Sequence, residues 1–88
     1  MILQKGLVME NAKLIEILNL AVYAWNAFCE FCSKSSDNDM TETGFYYDNL
    51  ANEAHAKYRA YLNVYEIITG KTLCGIESVK FEISELSK

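Results

Sequence analysis

The sequence contains no proline and only four glycines among its 88 residues. Proline breaks a helix interior because it lacks the amide hydrogen, and glycine weakens one through its backbone freedom. Two of the glycines, Gly70 and Gly75, lie late in the chain, so little interrupts the residues before them. This scarcity predicts a mainly α-helical fold with long helices.

Positive charge is also in short supply, with 8 Lys and Arg against 12 Asp and Glu and a net charge of −4. Nucleic-acid binding depends on Lys and Arg to neutralise phosphates. We therefore expect no nucleic-acid partner. Acidic residues dispersed along the chain are typical of a protein that they keep soluble.

The first residues lack the basic start, apolar run and small-residue cleavage site of a secretory signal. The three cysteines are an odd number, whereas a secreted disulfide framework would pair them. We therefore expect a cytoplasmic protein with buried, inert thiols. Residues 12–32 are apolar, but Lys13, Glu16 and Glu30 interrupt them, so we expect no membrane span.

Apolar residues are plentiful at 51%, and their spacing predicts one helical domain over 1–88. We expect a helix over about 10–32, a loop over 33–41, a helix over about 42–69 and a tail over 70–88. Asp39 or Thr41 caps the second helix, and Gly70 ends it. Gly44 weakens its first turn, which favours a start as late as Phe45.

The tail fits two patterns. Val79, Phe81 and Ile83 alternate as in a strand, whereas Val79 and Ile83 also share a helix face with Ile76 and Leu86. The β-branched residues after Gly75 favour an extended segment, which would need a partner such as Ile2-Leu3 or a second subunit. The predicted fold is thus an antiparallel two-helix hairpin with a short extended or helical tail, assembled into a homo-oligomeric helical bundle.

The prediction of an oligomer comes from the first helix, which is apolar around more than half of its circumference. A hairpin partner covers one stripe only, and each large apolar side chain left in water forgoes about 1.5–3 kcal/mol. A symmetric dimer would cover the rest, and the tail is the other element that would cover part of it. The predicted interface residues are Leu14, Ile17, Ala21, Ala24, Phe28 and Phe31.

Cys29, Cys32, Cys74 and His55 make up a complete set of zinc ligand types. If the hairpin turns near Asp37, however, His55 lies roughly 15 Å along the helix from the level of Cys29. We therefore expect no metal site. No nucleophile and base are paired around His55, so we also expect no enzyme and no cofactor.

Tyrosines are the least ordinary feature, and four of them point to the packing side of the second helix. In the simplest interpretation their rings fill the core and their hydroxyls reach its wet edge. In the alternative they line a cleft or an interface, where Arg59 would hold an anionic ligand. The candidate contact residues are Tyr47, Tyr58, Arg59, Tyr61 and Tyr65.

The favoured function is a non-enzymatic protein-binding regulator or inhibitor that also forms a homodimer. Small, acidic, proline-free helical chains are typical of phages and mobile elements, where they inhibit host or defence machinery, as anti-CRISPR proteins do. This likeness of size and composition assigns no residue. The alternatives are an oligomer that binds or sequesters a nucleotide signal, and a structural assembly protein.

Overall fold

The computed structural model describes residues 10–38 and 41–88. They form three helices, α1 (Asn11–Asp37), α2 (Glu42–Thr69) and α3 (Ile76–Leu86), and all regular structure in these ranges is helical. α1 and α2 pack side by side as an antiparallel hairpin, and α3 packs mainly on α1. The described chain measures 54 × 24 × 18 Å, so the molecule is elongated along the hairpin.

α1 continues beyond Cys32 to Asp37, through residues whose polarity indicates a loop. Local polar contacts explain the extension. The Ser35 hydroxyl donates to the Asp48 carboxylate of α2, and Lys34 lies 3.2 Å from Glu30 one turn earlier. These last turns of α1 are therefore solvated helix, and the connection to α2 is shorter than expected.

α2 begins at Glu42 because Thr41 caps it: the Thr41 hydroxyl accepts a hydrogen bond from the Gly44 amide at 3.0 Å. The other candidate cap, Asp39, lies outside the described residues. α2 ends at Gly70, which adopts a left-handed conformation with φ of 79°. Both signals act as the sequence predicts.

Gly44 does not delay the start of α2, so the expectation of a start at Phe45 is wrong. A Cβ atom at this position would lie 2.2 Å from the backbone carbonyl oxygen of Asn38. Glycine is required here because the end of α1 comes so close to the first turn of α2.

The tail is a helix, and the preference for an extended segment is wrong. Val79 is fully buried while Phe81 is 65% exposed, although a strand would place both on one face. Val79 joins the core with Ile76, Ile83 and Leu86 packed beside it, so burial of one helical stripe outweighs the β-propensity of these residues. The suggested strand partner Ile2-Leu3 lies outside the described residues.

One apolar core joins the three helices, and its buried members are Leu14, Leu18, Ala21, Ala24, Tyr58, Tyr65 and Val79. Three residues of the predicted interface, Leu14, Ala21 and Ala24, therefore lie inside this single chain. Ile17, Phe28 and Phe31 are half-buried. α3 explains the difference, because it covers part of α1 that a two-helix hairpin would leave in water.

Candidate functional site

An apolar groove of about 400 Å³ runs along the seam between α1 and α2, and no α3 residue lines it. We call it the hairpin groove. Tyr23 is 75% exposed and Leu20 is 44% exposed at its edge. The lining residues are Leu20, Tyr23, Ala24, Ala27 and Phe31 of α1 and Leu50, Glu53, Ala54, Lys57 and Tyr61 of α2.

The α2 side of the groove belongs to a longer stripe whose spacings of three and four residues keep it on one helix face. The stripe consists of Tyr46, Leu50, Glu53, Lys57, Tyr61 and Val64. Its apolar ends are exposed, and its centre carries one acid and one base. Neither Glu53 nor Lys57 forms a salt bridge with any residue that the structure describes.

A second, more polar cavity of about 340 Å³ lies between α2, Trp25 of α1 and the linker before α3. Arg59 is exposed at its wall and makes no salt bridge within the described ranges. The Thr72 hydroxyl donates to the Glu66 carboxylate at 2.9 Å and ties the linker to α2. The lining residues are Trp25, Tyr58, Arg59, Leu62, Asn63, Glu66, Thr72, Leu73, Cys74 and Gly75.

Tyr58 lines this polar cavity and is only 5% exposed. Its ring lies 5.0 Å from the Trp25 ring, but its buried hydroxyl has no hydrogen-bond partner among the described residues. Burial raises the pKa of Tyr58, with Arg59 opposing the shift. A buried hydroxyl without a partner is unfavourable, and such groups call for an explanation.

Tyr65 is in the opposite situation, because its hydroxyl donates to the buried carboxylate of Glu82 on α3. Lys71 places its ammonium 3.0 Å from the same carboxylate oxygen. The hydrogen bond from Tyr65, and then Lys71, hold the pKa of Glu82 below its ordinary value against the effect of burial. Burial and the contact with Glu82 together raise the pKa of Tyr65. This cluster fastens α3 to α2.

The predicted contact residues thus divide between several places. Tyr58 and Arg59 line the polar cavity, Tyr61 lines the hairpin groove, and Tyr65 binds Glu82. Tyr47 stacks on Phe31 at 6.2 Å. The structure does not bring these candidate contact residues together in one site.

Leu20 and Tyr23 were not identified as groove residues from the sequence, because Tyr23 lies on the more polar face of α1. The signal was available in the spacing of Leu20, Tyr23, Ala27 and Phe31, which continues along one face. The linker residues of the polar cavity carried no such signal, since their position depends on where α3 packs.

His55 lies opposite Phe28, with ring centroids 5.0 Å apart. It is therefore close to the level of Cys29 along the hairpin, and not distant from it as expected. The earlier distance is wrong because the hairpin does not turn near Asp37: α1 is still helical there and α2 begins only at Glu42, so the turn lies later and the register shifts. Cys29, Cys32 and Cys74 are exposed, not buried as expected. Within residues 10–38 and 41–88, no group of three or more His, Cys, Asp or Glu side chains is placed to hold a metal ion.

α1 is long and apolar enough to meet the criteria for a membrane-spanning helix, and it is the one such helix in the described ranges. A single candidate is weak evidence, because core helices of soluble proteins meet the same criteria. Leu18 and Ala21 of α1 are fully buried in the core of this chain.

Over the described ranges the fold is therefore that of a small helical protein, in which a long hairpin carries a short third helix. A scan against protein-family models finds no match, and comparisons with curated proteins and with solved structures find no significant match. Its function has to be argued from the hairpin groove and the polar cavity.

Proposed function

We propose that this chain is a non-enzymatic protein-binding protein and that the hairpin groove is its binding surface. The observation that supports this proposal is the mainly apolar surface formed by the groove with exposed Leu20 and Tyr23. Contiguous exposed apolar patches usually mark an interface, and tyrosine is favoured in interfaces. Tyr46 and Val64 extend the same surface at the two ends of the stripe on α2.

The proposal includes a regulatory or inhibitory role in the cytoplasm, exerted by covering the surface of a partner. Size, helical content and the net charge of −4 support this role, and they are also typical of phage and mobile-element inhibitors of host or defence machinery. Such a protein needs no reacting groups, since it acts by occupying a surface. The partner would cover the apolar surface between α1 and α2.

Photo-crosslinking in producing cells tests the surface directly. A photoreactive phenylalanine analogue placed at Tyr23 should give a discrete crosslinked protein product, because this exposed side chain lines the groove. The matched control carries the same analogue at Asn52, which is exposed on α2 but lines neither groove nor cavity. Equal, diffuse labelling from both positions would contradict the proposal.

A second candidate function is binding of a small aromatic anion, as in a nucleotide, in the polar cavity. It is favoured by the Arg59 guanidinium, which has no ion-pair partner in the described chain, beside the aromatic rings of Trp25 and Tyr58. The cavity volume of about 340 Å³ is within the usual range for small-molecule sites.

Thermal unfolding with adenosine 5′-monophosphate, adenosine or inorganic phosphate tests this second function. The nucleotide should raise the melting temperature, because a ligand that binds only the folded state stabilises it. Arg59→Gln should remove the shift produced by the nucleotide. The absence of a shift with any of the three at millimolar concentration would exclude such ligands from the cavity.

A further inference from the structure

We infer that the partner of the hairpin groove is a second copy of this chain, related by a two-fold axis perpendicular to the helices. This inference rests on the proposed function and names the occupant of the same surface. Such an axis makes both helices of each hairpin antiparallel to the same helices of the other copy. The product is a four-helix bundle with α3 on the outside.

We place the axis near the middle of the groove, at the level of Ala27 of α1 and His55 of α2. Ala27 of α1 and Ala54 of α2 both line the groove, and the neighbouring Phe28 and His55 rings lie 5.0 Å apart. A two-fold axis at this level exchanges residues that lie equally far on either side of Ala27 along α1. On α2 it exchanges residues on either side of His55.

This exchange brings several apolar residues of the groove opposite one another. On α1, Tyr23 meets Phe31 of the second copy, and Ala27 meets its own equivalent on the axis. The small side chain of Ala27 lets the two α1 helices approach closely. On α2, Tyr46 meets Val64 and Leu50 comes within one residue of the level of Tyr61, so the exposed side chains at the ends of the stripe become covered.

The charged residues at the centre of the stripe are also matched. Glu53 and Lys57 lie equally far from His55 in opposite directions, so the axis places Glu53 of each copy beside Lys57 of the other. Both lack a salt bridge in the described chain and line the groove. A two-fold axis parallel to the helices would instead place Glu53 and Lys57 against α1 of the second copy, whose groove residues carry no charge. Charge complementarity therefore selects the antiparallel arrangement.

Sedimentation equilibrium of the full chain over a range of concentrations tests the inference. The native chain should be a dimer, whereas Glu53→Lys and Lys57→Glu should each dissociate about tenfold more readily or more, because each brings like charges together twice per dimer. An equimolar mixture of the two variants should recover the native affinity, because opposite charges then face each other in the mixed dimer. The control is Lys80→Glu on α3, an exposed position that lines neither groove nor cavity and should not change the affinity.

Both substituted side chains are exposed, so the variants are expected to fold, and circular dichroism verifies this. Tyr23→Glu provides an independent disruption at a side chain that is 75% exposed. The inference is overturned if the native chain stays monomeric, or if the mixture associates no better than its components. A monomer that still crosslinks to another protein from Tyr23 would leave the proposed function standing, and a monomer without a crosslink would remove both.

Discussion

Two tyrosines that are almost equally buried hold their hydroxyls in opposite states. The Tyr58 hydroxyl has no partner in the described chain, and the Tyr65 hydroxyl donates to Glu82. Removing each oxygen by substitution with phenylalanine should therefore have opposite effects. We expect Tyr58→Phe to raise the free energy of unfolding by about 1 kcal/mol and Tyr65→Phe to lower it by about 1.5–3 kcal/mol, as measured by urea denaturation.

Tyr61→Phe is the control for this pair, because Tyr61 is half-buried at the groove and should change stability little. If Tyr58→Phe proved destabilising, its hydroxyl would have to be bonded in solution, for instance to an ordered water. A ligand-binding role for the polar cavity predicts in addition that Tyr58→Phe keeps the higher stability but loses some of the ligand-induced melting shift.

Glu82 should make the stability of the fold depend on pH at the acidic end. Tyr65 and Lys71 hold the pKa of Glu82 below the ordinary value of 4.5, so the folded state favours the charged carboxylate. The stabilisation is therefore present above about pH 4.5 and is lost as the pH falls through the lower folded-state pKa. We expect Glu82→Gln to flatten this acid-side loss in denaturation curves, whereas Glu16→Gln, at an exposed position without a salt bridge in the described ranges, should leave its slope unchanged.

At the scale of elements, α3 offers a direct test of helix against strand. Val79→Ala removes methyl groups from a fully buried site and should lower the free energy of unfolding by about 2 kcal/mol. Phe81→Ala removes a larger side chain, but one that is 65% exposed, and should change it by no more than about 0.5 kcal/mol. Chemical denaturation of both variants measures the difference, and similar losses would indicate that the two residues share a buried face.

Gly44 gives the corresponding test for the turn between α1 and α2. Alanine favours a helix interior over glycine by about 1 kcal/mol, yet its Cβ would meet the Asn38 carbonyl oxygen. We expect Gly44→Ala to lower the free energy of unfolding by about 1–3 kcal/mol because the clash outweighs the propensity. Thr43→Ala, at an exposed position in the same turn, should be neutral or slightly stabilising. Thermal unfolding of both variants measures the difference.

The elements that sequence could predict are those whose signals are local. α2 follows from its helical spacing, the Thr41 cap and the left-handed Gly70, each acting within a few residues. The end of α1 could not be placed, because Ser35 is held by Asp48 of another helix. The conformation of the tail also depended on distant residues, since β-branched side chains form a helix there once Val79 has a core to enter.

The candidate sites were predictable to a smaller extent for the same reason. Arg59 and the tyrosines could be identified on the packing side of α2, but the division between cavity and groove depends on the linker and on α3. The register of the hairpin differs from the predicted one and places His55 next to Phe28. A change of a few residues in the position of a turn moves every pairing along two long helices.

At the scale of the whole molecule, the inferred dimer has a shape that scattering can detect. Two hairpins that pair face to face at their centres should keep a length close to the 54 Å of the described chain while the mass doubles. Small-angle X-ray scattering of the native chain should therefore show a maximum dimension nearly independent of concentration. The charge-reversal variant Glu53→Lys supplies the monomer reference, and a marked lengthening on association would indicate end-to-end contacts instead.

Trp25 is the single tryptophan of the chain, and it occupies a position where the core and the polar cavity meet. Its indole lies 5.0 Å from the Tyr58 ring and 5.2 Å from the Phe28 ring. Tryptophan emission, excited at a wavelength that the tyrosines do not absorb, therefore comes from one known site, without labelling. The same emission band should shift to longer wavelength when the hairpin opens and change in intensity when a molecule enters beside Arg59, so one optical signal follows both unfolding and occupancy.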